Sequence, residues 1–254
     1  MGARNREASG LRSLIWLGLF TLAAFALLGS LGFWQLQRLA WKQDIIGRIS
    51  ARIHAQAVPL AAPSQWAQLA AQDFEYTRIV TSGRFEHKWE TLIFRPAGGA
   101  AKQPGYEVLT PLRVTGTDAH VLVNRGYIPE ALKDPAKRSA GQIAGDVTFT
   151  GLLRSPEPRG FFTPADNPAG NIWYSRDPQA VTRHFGIPNA APFSIDADGA
   201  ENPGGWPKGA ATIVNIRNDH LVYALTWFGL AATLLIIFAI FAWRRLRAQF
   251  APSD

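Results

Sequence analysis

The sequence predicts a membrane protein of the α+β class: two transmembrane helices flanking a mostly antiparallel, barrel-like β domain with a few short helices. Three observations predict it. Two runs free of charged residues, Ser13–Gln37 and Leu221–Trp243, stand near the two ends of the 254 residues. Both runs are bordered by arginines on the side facing the chain terminus. Between them lie short segments rich in Val, Ile, Thr and aromatics, separated by Gly, Pro and Asp turns, which is the texture of strands.

In chain order, residues 1–12 form a tail with Arg4, Arg6 and Arg12 against Glu7, and residues 13–33 the first span. A cleaved signal peptide with Ala24-Phe25-Ala26 as its cleavage site is the alternative reading of that span. The apolar stretch runs on through Phe33, beyond the roughly 7–15 residues of a signal-peptide core, so a retained anchor is expected. The second span, residues 220–243, contains an apolar run about 34 Å long as a helix, enough for a hydrocarbon core of about 30 Å. The tail 244–254 carries Arg244, Arg245 and Arg247 against Asp254. Basic flanks stay in the cytoplasm, so the expected topology is in–out–in. Trp16 and Trp243 then mark the inner interface, and Trp34 and Tyr223 the outer one.

Residues 34–219 are the expected periplasmic domain. It opens with a helical stalk, since Leu36, Leu39, Ile46, Ile49 and Ile53 recur at helical spacing. Pro59 and Pro63 end the stalk, and a short helix over 64–71 with Ser64 as N-cap follows. Strands are expected at Tyr76–Phe85, Glu90–Arg95, Tyr106–Val114, His120–Tyr127, Asp146–Leu153, Phe193–Asp196 and Thr212–Arg217. Val108, Thr110, Leu112 and Val114 share one face of their strand, and Glu107, Leu109, Pro111 and Arg113 the other. One helix, Pro178–Phe185, interrupts the strands. Residues 154–170, with four prolines and two glycines, should form an irregular crossing.

Composition excludes several functions. The formal net charge is +7, but without the tails the domain holds 20 basic and 17 acidic residues, a net of +3. No basic run is interleaved with aromatics, so nucleic acid is not an expected partner. The absence of cysteine rules out disulfides, iron–sulfur clusters, thiolate zinc and covalent haem attachment. With Met1 as the only methionine, Cu(I) carriage is disfavoured too. The N-terminal segment lacks an amphipathic Ser/Arg-rich presequence, which favours a bacterial inner membrane. No catalytic signature occurs, and His87 beside Glu86 or His184 near Asp177 read as solvated side chains, so an enzyme is not expected. A sensor has this layout, but the 11-residue C-terminal tail would leave nothing to transmit a signal.

The candidate site is at the mouth of the second span. His220, Ala224, Trp227 and Ala231 fall on one helical face, where two small residues leave room for a flat ligand. Tyr223 lies one position off that stripe and offers a phenol. On the first span Gly18, Phe25, Gly29 and Gly32 lie near one face, giving either close helix approach or clearance for a ligand. Spacing alone favours the plainer reading, in which His220 and Tyr223 anchor the helix at the headgroups and the glycines pack.

Five stretches, in order along the chain, carry a resemblance: Gly32-Phe33-Trp34-Gln35 with Arg38 and Trp41-Lys42; Tyr106 to Leu112; Val123-Asn124-Arg125-Gly126-Tyr127-Ile128-Pro129; Phe162-Thr163-Pro164 with Asn171 to Asp177; and His220-Leu221 with Tyr223 to Phe228. In them the chain resembles the surfeit locus protein 1 family of cytochrome c oxidase assembly factors. It departs at Tyr127, where the family usually has Trp, and at Asp219, where Asn commonly precedes the histidine. If ionised, Asp219 could hydrogen-bond the His220 ring and fix its tautomer.

The resemblance implies a non-enzymatic role in maturing a haem–copper terminal oxidase, with haem a bound transiently. It implies His220 as the axial ligand of haem iron, between the spans and near the outer leaflet, with Tyr223, Trp227 and Trp34 beside it. Arg38 and Lys42, just outside the membrane, would either pair with the propionates or stand as ordinary interfacial cations. Partners implied are membrane lipid, the large membrane subunit of the oxidase and a haem a synthase. The alternative is a scaffold that stabilises oxidase subunits and never touches haem, with Asn124, Arg125, Trp173 and Tyr174 as exposed anchors on the β domain.

Overall fold

The computed structural model describes residues 2–97, 103–199, 201–209 and 218–249. The chain divides into two compact units, Met1–Arg48 with Asn215–Asp254, and Ile49–Val214. The elements in order are α1 (Gly2–Ile53), β1 (Val58–Pro59), α2 (Ala71–Phe74), β2 (Arg78–Phe85), β3 (Thr91–Arg95), β4 (Gly105–Val114), β5 (His120–Pro129), β6 (Asp146–Arg154), β7 (Ile172–Trp173), α3 (Pro178–Phe185), β8 (Ala190–Ala197) and α4 (His220–Gln249). The helix α1 runs unbroken to Ile53, where its apolar period ends.

In the first unit, α1 and α4 are each long and apolar enough to cross a membrane. They pack antiparallel along one seam. Arg245 Nη2 donates to Ser13 Oγ at one end, and His220 Nδ1 meets Gln35 Oε1 at the other. On α1 the seam positions Leu14, Gly18, Thr21, Phe25, Leu28, Gly32, Gln35 and Leu39, alternately four and three apart, are half-buried or buried, with Ala24, Gly29 and Leu31 half-buried beside them. On α4 they begin His220, Ala224, Trp227, Ala231 and Leu234 with the same rhythm. That spacing of 3.5 residues is the coiled-coil seam, which keeps one stripe against the partner along the whole contact. Trp16 lies level with Trp243, and Trp34 with Tyr223, all four exposed. The two levels are about 27 Å apart along α1 and about 30 Å along α4, close to the thickness of a hydrocarbon core.

In the second unit, β2, β6, β8, β5 and β4 form a closed five-stranded barrel. The ring closes where Gly83–Phe85 of β2 pair with Leu112–Val114 of β4. A Cβ on Gly83 would lie 2.3 Å from the Arg113 carbonyl oxygen, so that closure needs glycine. All junctions of the ring are antiparallel except β5 with β8. A parallel pair cannot be joined by a tight hairpin, and the chain from β5 to β8 runs through residues 130–189, with β6 as the return strand and β7 and α3 after it. The strands β3 and β7 extend the sheet beyond β4, and β1 pairs with β2.

One core cluster draws on all five ring strands, as only the interior allows: Ile79, Leu112, Val121, Val123, Leu153, Phe193 and Ile195, with Trp66 and Phe74. Outside the ring, Val181 of α3 and Trp173 cover Ile93, Leu109 and Leu122. Val108 joins a third group with Leu92, Tyr106 and Ile128, because a bulge between Glu107 and Leu109 shifts the register there.

The α3 bounds are those the sequence predicts. Asp177 caps the first turn by accepting from Ala180 N–H at 3.0 Å, and Gly186 ends the helix at φ 64°. The expected helix over 64–71 is instead a 3-10 turn over Pro63–Gln68 followed by α2, and Ser64 is not its cap. Pro63 starts the turn, so Ala62 takes the cap position, and Trp66 is pinned by its Nε1 bond to the Ala61 carbonyl at 2.8 Å. The last expected strand, Thr212–Arg217, lies outside the described residues.

Candidate functional site

The first turn of α4 presents His220, half-buried, to the buried amide of Gln35 on α1. Nδ1 and Oε1 are 2.6 Å apart. With Oε1 as acceptor, the ring proton sits on Nδ1 and Nε2 keeps its lone pair. Among the described residues Nε2 has no hydrogen-bond partner. This is the arrangement of a ligating imidazole, whose far nitrogen is oriented by an acceptor while the near one faces the ligand. Sequence reasoning offered Asp219 for the orienting role and missed Gln35. The Asp219 backbone carbonyl accepts from Tyr223 N–H at 3.2 Å, opening the helix.

Ala224 and Ala231 are buried in the seam, and Trp227 is half-buried beside them. The space expected between the helices is filled by aromatic rings. A Cβ on Gly32 would lie 2.6 Å from the Phe228 ring, and one on Gly18 would lie 3.2 Å from Phe238. Phe228 also meets Phe33 edge to face, ring centroids 5.4 Å apart. These glycines therefore serve close packing. A flat ligand reaching His220 does so from a flank of the pair.

One flank is chemically distinct. At roughly 100° per residue, Arg38 lies about 60° from Gln35 on α1, and Tyr223 about 60° from His220 on α4. The helices are antiparallel, so both residues lean to the same side. Trp34 and Tyr223 are exposed there, and Lys42 is half-buried two turns from Gln35. The Arg38 guanidinium lies 4.6 Å from the Trp41 ring centre, held over its face. The flank thus combines a free imidazole nitrogen, a phenol, two indoles and two cations. Such a set suits a flat apolar ligand with a metal centre and an anionic edge.

The proposed scaffold anchors are not exposed. Asn124, Arg125 and Trp173 are buried, and Tyr174 is half-buried. β5 is covered on both faces, so its polar side chains find partners inside. Asp196 accepts from Asn124 Nδ2 at 3.0 Å, Arg154 Nη1 at 2.7 Å and Arg176 Nη1 at 3.2 Å. Arg125 donates to the Gly141 carbonyl, with its guanidinium 4.7 Å from the Phe85 ring centre. Burial pushes that guanidinium down to about 10; Glu90 opposes the shift and Arg138 adds to it.

His87, His120 and His184 are held within the barrel unit, and His54 lies exposed near the end of α1. His87 Nε2 meets the Ile143 carbonyl at 2.9 Å and His120 Nδ1 the Pro188 carbonyl at 3.0 Å. His184 packs edge-on against Trp173 and Phe185, while Asp177 is occupied by its helix cap. Among the described residues no group of three or more His, Asp or Glu could hold a metal ion.

The SURF1 family model matches residues 22–232, from within α1 to within α4. Surfeit locus protein 1 of Mus musculus is 35% identical over 214 residues, covering 80% of this chain and 68% of the mouse protein. Its counterpart in Xenopus tropicalis is 36% identical over 216 residues, 80% of this chain and 68% of that protein. The Homo sapiens protein is 35% identical over 250 residues, 91% and 80% of the two chains. With the family match reaching into both apolar helices and spanning the whole barrel, the chain belongs to the SURF1 family.

Proposed function

We propose that this chain is a non-enzymatic assembly factor for a haem–copper terminal oxidase, and that it binds haem a transiently through His220. The observation that carries the reading is the 2.6 Å contact of His220 Nδ1 with Gln35 Oε1, which leaves Nε2 as a donor to iron. Bound haem would supply an iron centre open to axial imidazole. His220 would hold the iron, Trp227, Trp34 and Tyr223 would line the apolar approach, and Arg38 and Lys42 would hold the propionates. The large membrane subunit of the oxidase is the recipient and a haem a synthase the donor. Both helices cross a bacterial inner membrane with the termini in the cytoplasm and the barrel in the periplasm. Support for that topology comes from the basic flanks and the two aromatic levels about 30 Å apart.

The scaffold alternative loses its best surface candidates, because Asn124, Arg125 and Trp173 are buried. Titration of purified wild type and His220→Ala with haem a, read at the Soret band, tests the proposal. Wild type should bind and the variant should lose most of its affinity. Equal binding sinks the axial role, and a colourless protein that co-purifies with oxidase subunits revives the scaffold.

A further inference from the structure

Phe161 and Phe162 are 96% and 91% exposed, more than any other large apolar side chain among the described residues. They are adjacent, with rings edge to face and centroids 5.1 Å apart. Their exposure is built in. Gly160 N–H donates to Thr163 Oγ1 at 2.9 Å, and Thr163 N–H to the Gly160 carbonyl at 3.1 Å, which closes the tip. Below it Arg159 Nη1 donates to Asp166 Oδ2 at 2.7 Å, and the same guanidinium reaches the Pro164 carbonyl. Asp166 Oδ1 in turn accepts from Tyr174 N–H at 2.8 Å, tying the loop to β7. Residues 160–165 carry no charge.

The tip is on the side of the barrel from which the chain leaves for α4. Arg95 Nη2 donates to Glu157 Oε2 at 3.0 Å, and Arg95 is registered opposite Gly105. Gly105 abuts the Tyr127 ring, and Tyr127 is bridged to Lys208 by two backbone bonds of 2.9 and 3.0 Å.

We propose that the Phe161–Phe162 tip inserts into the lipid interface of the membrane that α1 and α4 cross. This rests on the reading of those helices as membrane spans. Two uncharged rings on a braced turn suit a fluid apolar phase. The Gly160 N–H and the Thr163 oxygen are joined within the turn, so the side chains the tip presents outward are the two apolar rings. Exposed apolar surface of this kind marks an interaction site.

The chain has no cysteine, so single thiols can be introduced cleanly. Full-length Phe162→Cys, Thr117→Cys and Val222→Cys would carry one environment-sensitive fluorophore in phosphatidylcholine vesicles. Thr117 sits on the turn between β4 and β5, at the end of those strands opposite Gly105 and Tyr127. Val222 lies exposed on α4 and reports spanning. The label at 162 should be quenched several-fold more by nitroxide lipid than the label at 117, and shielded from aqueous iodide. Quenching at 222 with none at 162 overturns the inference alone. No quenching at 222 overturns the spanning reading and the inference with it. Shielding at 162 that appears only when oxidase subunits are added overturns it in favour of a protein contact.

Discussion

Gln35→Leu isolates what the buried amide does for His220. Leucine matches glutamine in length of apolar stem and suits an apolar seam, so the substitution removes the acceptor without adding charge. The lost contact is 2.6 Å long and buried. As a hydrogen bond it is worth about 1 kcal/mol net. Its loss also lets the imidazole turn and lets the proton move to Nε2, where the lone pair should be. Partners in that position typically contribute about 10–100-fold in metal affinity, or about 1.4–2.8 kcal/mol. The Kd for haem a, measured by Soret titration, should therefore rise about 10-fold or more. Gln35→Glu keeps an acceptor and should retain tight binding. In the His220→Ala background Gln35→Leu should cost nothing further, since the coupled term is already gone. Wild-type affinity in Gln35→Leu, or a full extra loss on top of His220→Ala, refutes the argument.

Two further predictions concern the barrel. Glu90 and Arg138 form a buried pair, side chains 5% and 1% exposed, with Gln142 Nε2 adding a bond of 3.1 Å to Glu90. Arg138→Met strands that carboxylate and should cost about 3–5 kcal/mol. Arg125→Met removes a guanidinium whose charge burial already disfavours and whose Nη1 has no hydrogen-bond partner among the described residues, so it should cost at most about 1 kcal/mol. Urea midpoints by tryptophan fluorescence would show the reverse order if this reading is wrong. Burial alone would raise the Glu157 carboxyl, but Arg95 beside it and the Arg176 backbone N–H hold it below its ordinary value of 4.5. A depressed carboxyl stabilises the fold fully above its unfolded value, and that contribution disappears as pH falls through the folded one. The stability gap between wild type and Glu157→Gln should shrink below about pH 4.5, and a constant gap would contradict the assignment.

What was legible in the sequence was local. The helix α3 carries its own bounds in Asp177, Pro178 and Gly186, and the uncharged runs locate the apolar stretches of α1 and α4, although both helices extend past them through charged residues. The ring strands were visible through alternation, as Ile79 and Leu112 illustrate. The two-residue strands β1 and β7 have no period to read, and the parallel β5–β8 pairing joins residues some 70 apart. Asn124 and Arg125 look like surface residues in isolation. They are inside because acceptors supplied by other segments meet them there, Asp196 for Asn124 and the Gly141 carbonyl for Arg125. His220 could be found by its depth at the end of an apolar run. Gln35 could not, since its role exists only when two helices 185 residues apart in sequence meet.

The filled seam also constrains how a ligand can approach. Phe228 over Gly32 and Phe238 over Gly18 close the gap between the helices, so the free Nε2 is approached from a flank. Arg38 and Tyr223 lean to one flank but sit at different levels. Counting from the Gln35–His220 level, Tyr223 and Trp227 lie toward the Ser13–Arg245 end, and Arg38 and Lys42 lie beyond it. That gradient runs from apolar rings to cations across roughly four helical turns, about 21 Å. On the proposed reading it fixes one orientation: a flat apolar body among the indoles, a metal at the imidazole and an anionic edge at the cations. Reversing the ligand would put its anions against exposed apolar helix and leave the cations unpaired. The flank therefore selects for polarity along the ligand as well as for a ligating metal. A macrocycle lacking the anionic edge should gain little from Arg38 and Lys42, and their replacement by Gln should then leave its binding unchanged.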